Sequence, residues 1–189
     1  MPRVYMIRHG KPASTWGDHV SDADPGLDLQ GREQAKHAAD ALFALPERPT
    51  AVFTSPLRRC RETATPFAKL LGVEAIVEPA VSEIPTPKNL TEAERGPWLR
   101  AAFTGAWTDI KGDIDYGQWR DRVAEAVARH AGGAIFSHFV AINAAISAAT
   151  GKPDVRHFQP NHCAITVFEV EDGQLKLIEL GESATTQVL

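Results

Sequence analysis

A short apolar run that gives way to helical spacing, several times over, is what most limits the folds open to this chain. Val4 to Ile7 reads as a buried strand. After a loop rich in Asp, Gly and Pro, GREQAKHAADALFAL puts Ala35, Ala38, Ala39 and Leu42 on one helical face. AVFT is a second strand. Ser55 and Pro56 then offer a hydroxyl suited to an N-cap and a proline suited to the first helical position, and Leu57, Cys60, Ala64, Phe67, Ala68 and Leu71 continue at helical spacing. Pro66 is expected to kink that helix near Thr65. VEAIV is a third strand, a helix runs from about Tyr116 to Ala131 with Trp119, Val123, Ala126 and Val127 inward, GAIFS is a fourth strand, and a helix from Phe139 to Thr150 follows. CAITVFEV and LKLIEL, separated by Glu-Asp-Gly-Gln, read as a terminal hairpin or two neighbouring strands. This alternation predicts an α/β fold, a mostly parallel central sheet covered by helices on both faces.

The 189 residues contain no repeat, no low-complexity tract and no linker, so a single domain over 1–189 is expected, with a lid at about 85–118. Apolar runs are far shorter than the roughly 20 residues a spanning helix needs, and the N-terminus lacks a signal-peptide pattern, so a soluble cytoplasmic protein is expected. The net charge of -4 argues against nucleic-acid and membrane-surface partners. Any bound anion must therefore meet a local cluster of cations. Cys60 and Cys163 form no Cys-x-x-Cys pair and suit a reducing compartment as small hydrophobes.

In such sheets ligands collect beyond the carboxyl ends of the strands. The first strand ends on Arg8-His9-Gly10, the second runs through Thr54-Ser55-Pro56 into Arg58-Arg59, and the fourth ends on Ser137-His138-Phe139. Two histidines and an arginine pair converging on one crevice suit a phosphoryl group. Phosphoryl transfer needs charge neutralisation, in-line positioning and protonation of the leaving oxygen. Arginine binds phosphate oxygens with a planar fork, and at about 4 Å and an effective dielectric near 20 each contact is worth about 4 kcal/mol before desolvation. A neutral imidazole can attack phosphorus, adjacent guanidinium charges hold it neutral, and Gly10 lets the backbone approach the ligand.

These segments resemble the histidine phosphatase superfamily, the phosphoglycerate mutase-like family, over nearly the whole chain. Arg8, His9 and Gly10 match its Arg-His-Gly signature, SPLRRCRETA matches its Ser-x-Leu-x-Arg-Ala-x-x-Thr-Ala with Cys60 for the first alanine, and PGLDLQGREQA looks like its Leu-Thr-x-x-Gly-x-x-Gln-Ala with Asp28 for threonine. The resemblance implies His9 as the phosphorylated nucleophile, Arg8, Gly10 and Arg59 as phosphate-binding residues, His138 as the second histidine and Glu83 as the proton donor. It implies a metal-independent phosphatase acting on a small phosphorylated substrate through a phosphohistidine, without a cofactor. A mutase, a protein phosphohistidine phosphatase and a non-catalytic phospholigand-binding module are the alternatives. The stretch after Gly10 departs from the family pattern, with Lys11 and Thr15 where Glu and an asparagine are frequent, and the family's Gly-x-Trp-Glu-Gly is absent after Glu83. Glu92 and Glu94 are rival donors.

Three further patterns have weaker readings. Asp22, Asp24 and Asp28 lack the glycine and closing glutamate of a calcium loop. His157, His162 and Cys163 fit no common zinc spacing and more often satisfy backbone or line a pocket. Trp98, Trp107 and Trp119 read as core or lid packing, and Lys88, Arg95 and Arg100 as a solvated face; with no carboxylate cluster in the sequence, no metal requirement is expected.

Overall fold

In a computed structural model, residues 1–14 and 23–184 are described. Six strands, β1 (Arg3–Arg8), β2 (Ala51–Thr54), β3 (Ala75–Val77), β4 (Gly133–Ser137), β5 (Ile165–Glu171) and β6 (Gln174–Glu179), form one sheet in the order β3-β2-β4-β1-β5-β6. β3, β2, β4 and β1 run parallel, whereas β5 is antiparallel to β1 and β6 to β5. Five α-helices accompany them among the described residues: α1 (Leu29–Ala44), α2 (Arg58–Leu71), α3 (Glu92–Ala102), α4 (Tyr116–Arg129) and α5 (Phe139–Thr150).

Both faces of the sheet are covered, which is why β1 and β4 are apolar without alternation. Tyr5, Ile7, Val52, Ala134, Phe136 and Val167 pack against Ala39 and Leu42 of α1 and Ala64, Phe67 and Ala68 of α2. The alternate side chains Val4, Met6, Ile135 and Phe168 pack against α4 and α5. The sequence reading placed β2, β4 and α5 at their observed bounds. In the final hairpin, Asp172 and Gly173 turn with φ of 52° and 77°, the left-handed pair that a tight two-residue connection requires.

Three boundaries differ from expectation. Ser55 is not the N-cap of α2: Leu57 is, without a side-chain bond, because the Ser55 hydroxyl is engaged by His138 at 2.8 Å. α2 then runs unbroken through Pro66. The third strand is only Ala75–Val77, since Gly72 closes α2 in the left-handed region at φ 69° and the Val73 N–H donates to Ala68 O at 3.0 Å. α1 starts two residues before Gly31 because the Asp28 carboxylate accepts the Gly31 N–H at 2.7 Å.

Candidate active site

The carboxyl ends of the parallel strands are level with one another: Arg8 pairs with Ser137 and Thr54 with Phe136. The residues that follow, His9, Ser55 and His138, are therefore delivered to one edge. β5 runs the other way and pairs Ile165 with Ile7, so the loop entering it, Asn161 to Ala164, reaches that same edge.

His9 is buried, and its ring centroid lies 5.4 Å from that of His138. His9 Nδ1 is 2.8 Å from the carbonyl oxygen of Gly10, an acceptor only, so Nδ1 carries the proton and Nε2 keeps its lone pair. The Gly10 N–H donates to Thr63 Oγ1 at 3.0 Å, and the Thr63 hydroxyl donates to Arg59 O at 2.6 Å, which ties this turn to the first turns of α2. A Cβ on Gly10 would lie 2.7 Å from Gly31 O, so the start of α1 packs directly on the turn. That contact explains why glycine stands at both positions.

Around His9 lie Arg8, Arg59, Glu83 and His138. Arg8 is buried, its Nη1 donates to Pro160 O at 2.8 Å, and its Nε has no partner. Arg59 Nη2 is 3.5 Å from Glu83 Oε2 and 3.4 Å from His138 Nδ1, and Glu83 Oε2 is 3.4 Å from the same nitrogen. On its other side the His138 ring is held by Ser55, whose Oγ accepts the Leu57 N–H at 3.3 Å and lies 2.8 Å from His138 Nε2, while the Cys60 thiol donates to Ser137 O at 3.4 Å. Arg59 Nη2 and His138 Nδ1 thus meet beside one Glu83 carboxylate oxygen.

Burial holds the His9 imidazole well below its ordinary pKa, and the neighbouring His138, Arg8 and Arg59 push it the same way. His138 is lowered likewise, by burial and then by the two guanidinium groups. Burial raises the Glu83 carboxyl against the opposing pull of Arg59. Arg8 is lowered by burial to about 10, which leaves it charged at neutral pH. Two neutral imidazoles, two cations and a carboxyl pushed toward its protonated form can accept an anionic phosphoryl group, a nucleophilic attack and a proton donation.

All six residues singled out from the sequence, Arg8, His9, Gly10, Arg59, Glu83 and His138, meet in this cluster. The rival donors do not join it: Glu92 and Glu94 belong to the exposed first turn of α3, where Glu94 accepts the Thr91 N–H at 2.7 Å. Arg58 is exposed and donates to Glu62 at 2.8 Å, and Lys11 reaches Asp28 at 3.3 Å. Of the three aspartates, Asp24 accepts the Arg58 N–H at 2.9 Å and Asp28 caps α1. Asp22 and Thr15 lie outside the described residues. His157 Nε2 donates to Asp154 O at 2.8 Å, and no group of three or more His, Cys, Asp or Glu able to hold a metal occurs among the described residues. Within 85–118, Leu99, Phe103 and Trp107 are buried in the apolar cluster that includes α5. Thr63, matched from the sequence only as part of SPLRRCRETA, and His162, read there only as a candidate pocket-lining or metal-binding residue, both adjoin the cluster, the His162 ring 5.9 Å from that of His9.

A helix-covered parallel sheet that presents two histidines and two arginines at its carboxyl edge defines a class of phosphoryl-handling α/β proteins. The model of the histidine phosphatase superfamily (branch 1) matches residues 4–183, and the chain belongs to that family. A probable phosphoglycerate mutase of Photorhabdus laumondii is 34% identical over 85 residues, 44% of this chain and 39% of that protein. The curated relatives are longer than the shared region, which covers between 14% and 39% of them. Among solved structures, a mycobacterial glucosyl-3-phosphoglycerate phosphatase complexed with VO3 superposes with a TM-score of 0.73 at 24% identity, over 97% of this chain and 100% of the other. A phosphoserine phosphatase of Entamoeba histolytica in complex with 3-phosphoglyceric acid gives 0.74 at 19% identity, over 97% and 98%. At these identities the likeness establishes the fold. No described helix is long and apolar enough to cross a membrane.

Proposed function

We propose that this protein is a metal-independent phosphatase that hydrolyses a small phosphorylated metabolite through a phosphohistidine on His9. The observation that carries the reading is the fixed His9 tautomer: Nδ1 is bound to Gly10 O, which leaves the Nε2 lone pair available beside two guanidinium groups. The unpartnered Nε of buried Arg8 supports an anionic ligand in the same place.

In the first step the Nε2 lone pair forms a bond to phosphorus as the ester P–O bond breaks, and the leaving alkoxide takes the proton of the Glu83 carboxyl. Arg8, Arg59 and His138 bind the phosphoryl oxygens as negative charge shifts among them. In the second step water attacks phosphorus, Glu83 now takes its proton, and the N–P bond breaks with its electron pair returning to Nε2. Inorganic phosphate leaves, and both groups regain their starting protonation states.

The test is phosphate release from a panel of phosphorylated metabolites in EDTA. His9→Ala should lower turnover by more than about 1000-fold with folding intact. Arg59→Ala should weaken binding of inorganic phosphate by about 10- to 100-fold, the worth of charge-assisted hydrogen bonds. Glu83→Gln should lose most on esters with poor leaving groups. Turnover retained in His9→Ala, or abolished by EDTA in the wild type, would overturn the reading.

A further inference from the structure

His162 has no part in the chemistry just described, yet it stands against the nucleophile. Its half-buried ring lies 5.9 Å from that of His9, tilted by 44°. The loop that carries it is bound to β1 at several points. Cys163, in the left-handed region at φ 61°, donates its N–H to Arg8 O at 3.0 Å, the Arg8 N–H donates to Ala164 O at 3.2 Å, and Arg8 Nη1 holds Pro160 O. Within the loop the His162 N–H donates to Asn161 Oδ1 at 2.9 Å, and the Ala164 N–H to Asn161 O at 3.0 Å. The backbone that carries the ring is thus anchored relative to the residue that would be phosphorylated.

Despite this anchoring, neither ring nitrogen of His162 has a hydrogen-bond partner among the described residues. Burial lowers the ring to about 4, with Arg8 and Lys11 pushing it down and Asp28 opposing, so at neutral pH it offers one N–H donor and one lone pair. That combination matches an alcohol, which accepts and donates through the same oxygen. It does not match a second anion, which would need a cation, and the Lys11 ammonium on this side is already paired with Asp28 at 3.3 Å.

We propose that His162 is a specificity-determining residue that hydrogen-bonds a hydroxyl of the leaving alcohol, so that the site favours phosphate monoesters of neutral polyhydroxy alcohols over those of plain alkanols. The proposal rests on the phosphatase reading of His9. It is tested by kcat/KM for glycerol 1-phosphate and for propyl phosphate, which has the same three-carbon leaving group without hydroxyls, in the wild type, His162→Leu, His162→Asn and His9→Ala. His162→Leu should lose about fivefold on glycerol 1-phosphate, the worth of one neutral hydrogen bond, and less than about 1.5-fold on propyl phosphate. His162→Asn, which keeps a donor and an acceptor, should recover most of the loss. Equal losses on both substrates would overturn the proposal and make His162 a support for the His9 ring. No loss on either would overturn it as well. Turnover that disappears in His9→Ala preserves the phosphatase reading in both of those cases. His9-independent turnover, or none on either substrate, would remove that reading and this proposal with it.

Discussion

Mild acid should destabilise this protein through the same histidines that form its site. His9 is 6% exposed and His138 is fully buried, and burial together with neighbouring cations keeps both rings neutral in the folded state well below their ordinary range. In the unfolded chain each titrates near 6.5. Protons therefore bind the unfolded state more readily: the contribution of each ring to stability is complete above about pH 6.5 and is lost as pH falls toward the folded pKa. Linkage limits the loss to about 1.4 kcal/mol per pH unit for each ring, and to about 1.9 kcal/mol between pH 7 and pH 5 for a ring that never charges while folded. Both rings together reach about 3.8 kcal/mol, a large share of the 5–15 kcal/mol typical of a domain. Glu83 acts in the opposite sense, since its raised folded pKa makes the folded state bind the proton more tightly as pH falls. A difference measurement removes that background. In His9→Asn the amide nitrogen can still donate to Gly10 O, but the titrating group is gone. Urea unfolding followed by tryptophan fluorescence at pH 7, 6 and 5 should show a loss on acidification smaller than that of the wild type by up to about 1.9 kcal/mol. Equal losses in the two proteins, within about 0.5 kcal/mol, would refute the claim that His9 is held neutral.

Two further substitutions test how the site is supported. Ser55→Ala removes the hydroxyl bound to His138 Nε2 at 2.8 Å; a cost of about 1 kcal/mol in stability is expected in urea unfolding, and Ser55→Thr, which keeps a hydroxyl, should recover most of it. Gly31→Ala would set its Cβ against Lys11 O and so separate α1 from the His9 turn; because both sides are backbone, a loss of about 1–3 kcal/mol is expected in denaturant unfolding. Gly72→Ala is the comparison, since its Cβ meets nothing within 4 Å and only the left-handed φ of 69° opposes it, so its loss should be about 1 kcal/mol.

What could be read from the sequence, and what could not, divides along the distance over which each feature is determined. β4 and α5 were legible to the residue because an apolar strand covered on both faces and an apolar helix behind it depend on local composition. The Arg8-His9-Gly10 and His138 positions and the Arg58-Arg59 pair were legible because strand direction sends each to the carboxyl edge, whereas the choice of Arg59 within the pair rested on the family resemblance. Ser55 misled: a serine before a proline and a helical run is a sound N-cap pattern, but a histidine 83 positions away engages the hydroxyl instead. His162 was weighed as a metal ligand or as lining a pocket because spacing was the only signal it offered. Its meaning depends on topology. Had β5 run parallel to β1, the loop entering it would have emerged at the opposite edge of the sheet, far from His9; the antiparallel pairing of Ile165 with Ile7 brings it to the nucleophile. In a sheet that is parallel except at one side, the edge that gathers ligands is fed both by strands that end there and by strands that begin there, and a search confined to strand carboxyl ends omits the second group.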